Sequence, residues 1–223
     1  MCGEEYAKFQ FSTSPVALGL VSVDRAHQLH TGIYYVDSNA KGKFLHLLNH
    51  FKLRNYDVPS EQFESYSFAD INVIEEEYRI VTSYCRLIWE KNRIPGIPYG
   101  FANGLRFGRE GVLQIKGTSG LTCASFVLSI LESAGLSWID PSGWRDPAED
   151  EEWMELVIES VKSCDPGDDY ILLMKADKSC FRFRPNEVFA VCCMPDRPVS
   201  FSRISESAER IRIRANEAVN TTD

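Results

Sequence analysis

One cysteine and a group of histidines have the residue types and placement needed for nucleophilic chemistry. Cys123 lies in the run Gly120-Leu-Thr-Cys-Ala-Ser-Phe-Val-Leu-Ser-Ile-Leu-Glu-Ser-Ala-Gly135. Thr122 is a good N-cap residue, and Phe126, Val127, Ile130 and Leu131 follow at helical spacing. Gly135 suits a left-handed C-cap. The thiol is therefore expected in the first turn of a helix. Free backbone N–H groups and the positive dipole end favour the thiolate there, and the thiolate is the reactive form. A cysteine on a helix is more often a small buried hydrophobe; the helix-initial position sets this one apart.

A nucleophilic thiol needs a base. The chain has four histidines, His27, His30, His46 and His50, all upstream of Cys123. His30-Thr-Gly-Ile-Tyr-Tyr-Val-Asp reads as a strand, residues 38–43 as a turn, and Phe44-Leu-His-Leu-Leu-Asn-His50 as the returning strand. Such a hairpin brings His30 opposite residues 46–50. Period-two alternation puts His46, Leu48 and His50 on one face, so either histidine could hold His30 in its working tautomer. Clustered histidines can also ligate a metal. No Cys-x-x-Cys or His-Glu-x-x-His motif accompanies these, and His27 and His30 would point to opposite faces of a strand. The chemistry read here needs no metal and no organic cofactor.

The pattern His30-x-Gly-Ile-Tyr, a turn, Phe44-Leu-His46, and later Cys123-x-x-Phe-Val heading a helix resembles circularly permuted papain-like cysteine hydrolases. That branch holds permuted NlpC-type peptidases and lecithin:retinol acyltransferase-like enzymes. The resemblance covers residues 15–50 and 95–135. It implies an α+β fold with a permuted papain-like core, a small antiparallel sheet packed against the nucleophile-bearing helix. It makes Cys123 the nucleophile, His30 the base and His46 the orienting third residue. Ile97-Pro-Tyr-Gly-Phe101 looks like the Pro-Tyr segment ahead of the cysteine in NlpC-type proteins, so Tyr99 becomes an oxyanion or substrate contact. Thr122, considered with Tyr99 for that role, stands where NlpC-type enzymes usually carry Asp and acyltransferase-like ones Asn.

The function implied is amide hydrolysis through a thioester, directed at peptide crosslinks or stems of bacterial cell wall. An antibacterial effector of this kind would have an immunity protein as its dedicated partner. Two other readings stand beside it: a lipid acyl hydrolase or acyltransferase, and a non-catalytic binding module on the same fold.

Composition bounds the remainder. The chain has 223 residues and is 44% hydrophobic, with four tryptophans, which suits one domain with a substantial core. A helical insertion is expected at about residues 58–93. A net charge of −8, from 24 basic and 32 acidic residues, argues against nucleic acid as a partner. Seven cysteines without regular spacing suggest synthesis in a reducing compartment, with mostly buried free thiols. No secretory signal opens the sequence, and no apolar run is long enough to span a bilayer. The chain is thus expected to be cytoplasmic as synthesised, with any export independent of a signal peptide.

The elements that must position these residues follow from patterning. Residues 15–23 read as a first strand, and residues 68–89 as a helix through Ile71, Ile74, Tyr78, Val81, Tyr84 and Ile88. Residues 93–120, rich in glycine and proline and carrying Arg106 and Arg109, are expected to wall the site. The acidic block at residues 146–152 reads as the start of a helix, with Trp153, Leu156, Val157 and Val161 following at helical spacing. Residues 170–174, 180–184 and 188–194 are read as strands completing the sheet. Residues 205–223 are read as a terminal helix or a loose tail.

Overall fold

The computed structural model describes residues 14–23, 28–59, 63 and 65–220. His27 lies outside the described residues. Strands β1 (Val16–Ser22), β2 (Leu29–Val36), β3 (Gly42–Leu47), β4 (Leu53–Val58) and β5 (Ser67–Asp70) form one antiparallel sheet in the order β4-β3-β2-β1-β5. The described helices are α1 (Glu75–Asn92), α2 (Cys123–Ser133), α3 (Glu151–Lys162), α4 (Asp168–Ala176), α5 (Pro185–Cys192) and α6 (Phe201–Asn220). The fold is mixed α+β, with the Cys123-bearing helix α2 packed on β2 and β3.

The sheet separates two apolar clusters, as side-chain alternation requires. Ile33 and Tyr35 of β2, with Leu45 and Leu47 of β3, join the main core beneath α1, α2 and α5. Phe44, Val58 and Phe63 form a second cluster, with Tyr34, Tyr56, Tyr66 and Phe68 against it. His30 and His46 have the parity of Tyr34 and Phe44. Strand β1, between β2 and β5, is buried along its whole length, and its run Val-Ala-Leu-Gly-Leu-Val-Ser is apolar almost throughout. Helix α2 is buried along Cys123–Leu131, which its apolar composition permits.

Several sequence-based expectations are corrected. Residues 170–174 and 188–192 are helical rather than extended, within α4 and α5, and Cys193 and Met194 follow the end of α5. Short apolar runs do not distinguish the two states. The deciding local features are Asp168 and Asp169 in the first turn of α4, and Pro185 opening α5. Glu187 Oε2 also accepts from the Arg184 N–H at 3.0 Å, which satisfies a donor ahead of α5. Residues 180–184 are neither strand nor helix. The segment read as one helix from residue 68 is β5 followed by α1, whose first turn holds Glu75, Glu76 and Glu77. Val81, Cys85 and Ile88 of α1 belong to the main core. Residues 205–220 lie within helix α6.

Candidate functional site

Cys123 is the first residue of α2. Thr122 caps the helix: its Oγ1 accepts from the Ser125 N–H at 3.1 Å, and Ser125 Oγ accepts from the Thr122 N–H at 2.9 Å. Thr122 Oγ1 also lies 3.1 Å from Ser125 Oγ, so its hydroxyl is engaged in the cap. The β2–β3 pairing ends at Ile33↔Leu45, while β2 runs on to Leu29 beside β1. In the stretch of β2 beyond this pairing, the Thr31 backbone lies where it favours the Cys123 thiolate, and the Tyr99 side chain acts in the same direction.

His30 Nε2 and His46 Nδ1 are 2.7 Å apart, so the two imidazoles share one hydrogen bond. The contact is diagonal across the hairpin. His46 stands beside Gly32, where a Cβ would fall 2.6 Å from His46 Cβ and 2.7 Å from Phe44 Cζ. A glycine there lets the His46 ring lie over β2. Phe44 and Tyr56 flank that ring, and its Nε2 is buried without a partner. Burial lowers His30 to about 4. Burial, then the neighbouring His30 and Arg54, lowers His46 to about 3. Both rings are neutral at neutral pH.

His50 does not share the face of His46. Strand β3 ends at Leu47, and residues 48–52 turn back to β4, with the Leu48 N–H bonded to the Lys52 carbonyl. His50 instead serves Tyr99: its Nδ1 accepts from the Tyr99 N–H at 3.2 Å. The Tyr99 carbonyl accepts from the Tyr170 hydroxyl at 3.0 Å, and the Tyr170 ring lies against His50. Residues 98–102 also run beside residues 120–121, joined by Leu121 N–H to Pro98 O and Gly100 N–H to Leu121 O. A Cβ on Gly120 would sit 1.8 Å from Pro98 O, so only glycine allows this approach. Tyr99 is thereby fixed at both backbone groups, and its side chain lines the cleft with Cys123.

A cleft of about 400 Å³ opens over these groups, lined by His30, Tyr99, Thr122 and Cys123. His30 is 7% and Cys123 5% exposed, so both are recessed. Trp153, Leu156, Val157 and Ser160 form one wall. The face of α3 turned to the core is Met154, Ile158 and Val161. Arg106 and Arg109 do not line the cleft; Arg106 instead faces Glu132 at 3.5 Å. Two further lining residues went unread in the sequence, Tyr66 and Arg182. Arg182 sat inside a segment read as a strand, and Tyr66 reaches the cleft only through tertiary packing.

The stabilisation expected from the helix start is outweighed by burial. Burial pushes the Cys123 thiol above its ordinary value, and the Thr31 N–H, Arg182 and Tyr99 draw it back only in part. A helix terminus contributes about 0.3–1 kcal/mol, whereas taking a charge out of water costs several kcal/mol. The site therefore holds a thiol and a neutral imidazole. Among the described residues no group of His, Cys, Asp or Glu side chains is arranged to hold a metal ion, and no helix is long and apolar enough to cross a membrane. No protein-family model, curated protein or solved structure matches the chain.

Proposed function

We propose that this protein is a cysteine hydrolase of permuted papain-like architecture that cleaves an amide bond through a thioester on Cys123. One observation carries the reading: a helix-initial thiol and an imidazole hydrogen-bonded to a second imidazole line the same cleft. His30, through its Nδ1, takes the Sγ proton as the sulfur attacks the substrate carbonyl carbon. The C–S bond forms and the carbonyl oxygen becomes an oxyanion, facing the Tyr99 hydroxyl and the Cys123 N–H. His30 then protonates the departing amine as the C–N bond breaks. Water, deprotonated by His30, attacks the thioester, releasing the acid and returning the thiol. His46 holds the His30 ring through the Nε2–Nδ1 bond and stabilises its transient charge.

Among amides we favour wall peptides, cleaved by a signal-independent effector whose own cell keeps an immunity protein. One feature also suits a lipid acyl substrate: exposed Val23, Leu48 and Leu156 form an apolar rim to the cleft. Incubation with peptidoglycan sacculi and, separately, with phospholipid vesicles separates the two. New amino termini from sacculi, absent with Cys123→Ala, are expected. Fatty acid release instead would move the substrate to lipids. Silence in both, with Cys123 inert to thiol reagents, would leave a binding module.

Tyr99→Phe is expected to slow turnover about 100-fold, the scale of one lost oxyanion donor. His50→Ala should cost about 10-fold, because it releases the Tyr99 N–H and lets the hydroxyl drift. In a Tyr99→Phe background the His50 change should add little, since both act through one hydroxyl. Fully multiplicative effects would show that His50 does not act through Tyr99.

A further inference from the structure

Arg182 is the one charged side chain among the described residues lining the cleft, and nothing in the mechanism above requires a cation there. Its guanidinium lies 3.3 Å from the centre of the Trp153 ring, a stacked arrangement that fixes the plane of the fork. Its charge is incompletely matched. Nη1 donates to Asp150 Oδ1 at 3.2 Å, but Arg184 takes the same oxygen from Nε at 3.2 Å and from Nη2 at 3.0 Å. Arg182 Nε is buried with no acceptor, and no described protein group bonds Nη2. A buried guanidinium donor without an acceptor is costly unless something else completes it.

We infer that Arg182 is a recognition group for an anionic substrate, taking a carboxylate carried close to the scissile carbonyl. This rests on the hydrolase reading and narrows it: the favoured amide lies beside an acidic residue. The planar fork suits a carboxylate, and Trp153 and Val157 give its carbon chain an apolar wall. Helix α3 thus contributes both the wall and the surface on which the guanidinium stacks. Asp150, just ahead of α3, anchors the guanidinium from behind.

The test needs neither a known substrate nor turnover. Cys123 is alkylated with anionic iodoacetate and with neutral iodoacetamide, and the ratio of the two rates is taken. Both reagents consume the same thiolate, so the ratio is independent of its fraction. Exposed Cys164 in the same molecule serves as the reference. The expected ratio at Cys123 exceeds that at Cys164 by about tenfold, the scale of one charge-assisted bond. Arg182→Gln should abolish the excess and Arg182→Lys should keep part of it. Equal ratios at the two cysteines in the unaltered protein would overturn the inference, even if neither variant folds. N-acetylglutamate should slow Cys123 alkylation more than N-acetylglutamine or inorganic phosphate. Stronger protection by phosphate would overturn the assignment to a carboxylate. A protein that shows the iodoacetate preference but hydrolyses nothing would retain the anion site and lose the hydrolase reading.

Discussion

Cys123→Ala should abolish turnover, and His30→Ala should reduce it about 10,000-fold while leaving the fold intact, because members of a catalytic unit fail together. The reason lies in the resting protonation states. Burial raises the thiol and lowers His30 to about 4, so at neutral pH neither group is charged and the sulfur becomes nucleophilic only as the imidazole takes its proton. Without His30 no other described side chain in the cleft is placed to do so; His46 lies behind His30, and His50 is bound to Tyr99. His46→Ala should cost less, about 100-fold, since the base remains and only its orientation is lost. Single-turnover assays on the wall substrate would measure all three. Alkylation of Cys123 by iodoacetamide gives an independent readout, and it should climb with pH toward the raised thiol value. A plateau reaching down to acid pH would mean a resting thiolate–imidazolium pair and would refute this account of the site. Turnover by His30→Ala within tenfold of the unaltered protein would remove His30 from the mechanism.

The parts of the site legible in the sequence were those set by local rules. Thr122 before an apolar-periodic run marked the start of α2, and the β2–β3 hairpin followed from its β-branched and aromatic runs around a turn. Side-chain parity then put His30 and His46 on one face. Parity failed for His50, because β3 stops at Leu47 and the chain turns before reaching it. A turn at residues 48–52 leaves no hydrophobic signature that a reading of alternation could detect. The run at residues 188–194 is apolar on every side because α5 is buried throughout, so no period marks it as a helix. In α3 both apolar stripes are real, one facing the core and one facing the cleft, and sequence alone does not say which is covered. Arg182 and Tyr66 reach Cys123 through tertiary packing, with no spacing relation to it.

The His30–His46 pair should also make the folded state acid-sensitive, and this can be measured without any substrate. In the unfolded chain each imidazole takes up a proton near pH 6.5, whereas in the folded protein burial holds His30 to about 4 and His46 to about 3. The unfolded state therefore binds more protons throughout the interval between these values. Stability is complete above about pH 6.5 and falls with pH at about 1.4 kcal/mol per unit for each ring, down to its folded value. Between neutrality and pH 5 the loss should be about 2 kcal/mol per histidine, or about 4 kcal/mol for the pair. His50, also lowered by burial, acts in the same direction. Carboxylates with lowered values, such as Asp37 and Glu155, act only at lower pH and leave this window to the histidines. Urea unfolding at several pH values would record the slope. His46→Gln, which cannot titrate, should remove about half of the loss even if it is less stable at neutrality. A stability that is flat between neutrality and pH 5, or a slope unchanged in His46→Gln, would show that the two rings are not held neutral in the folded protein. It would also remove the uncharged imidazole on which deprotonation of Cys123 depends.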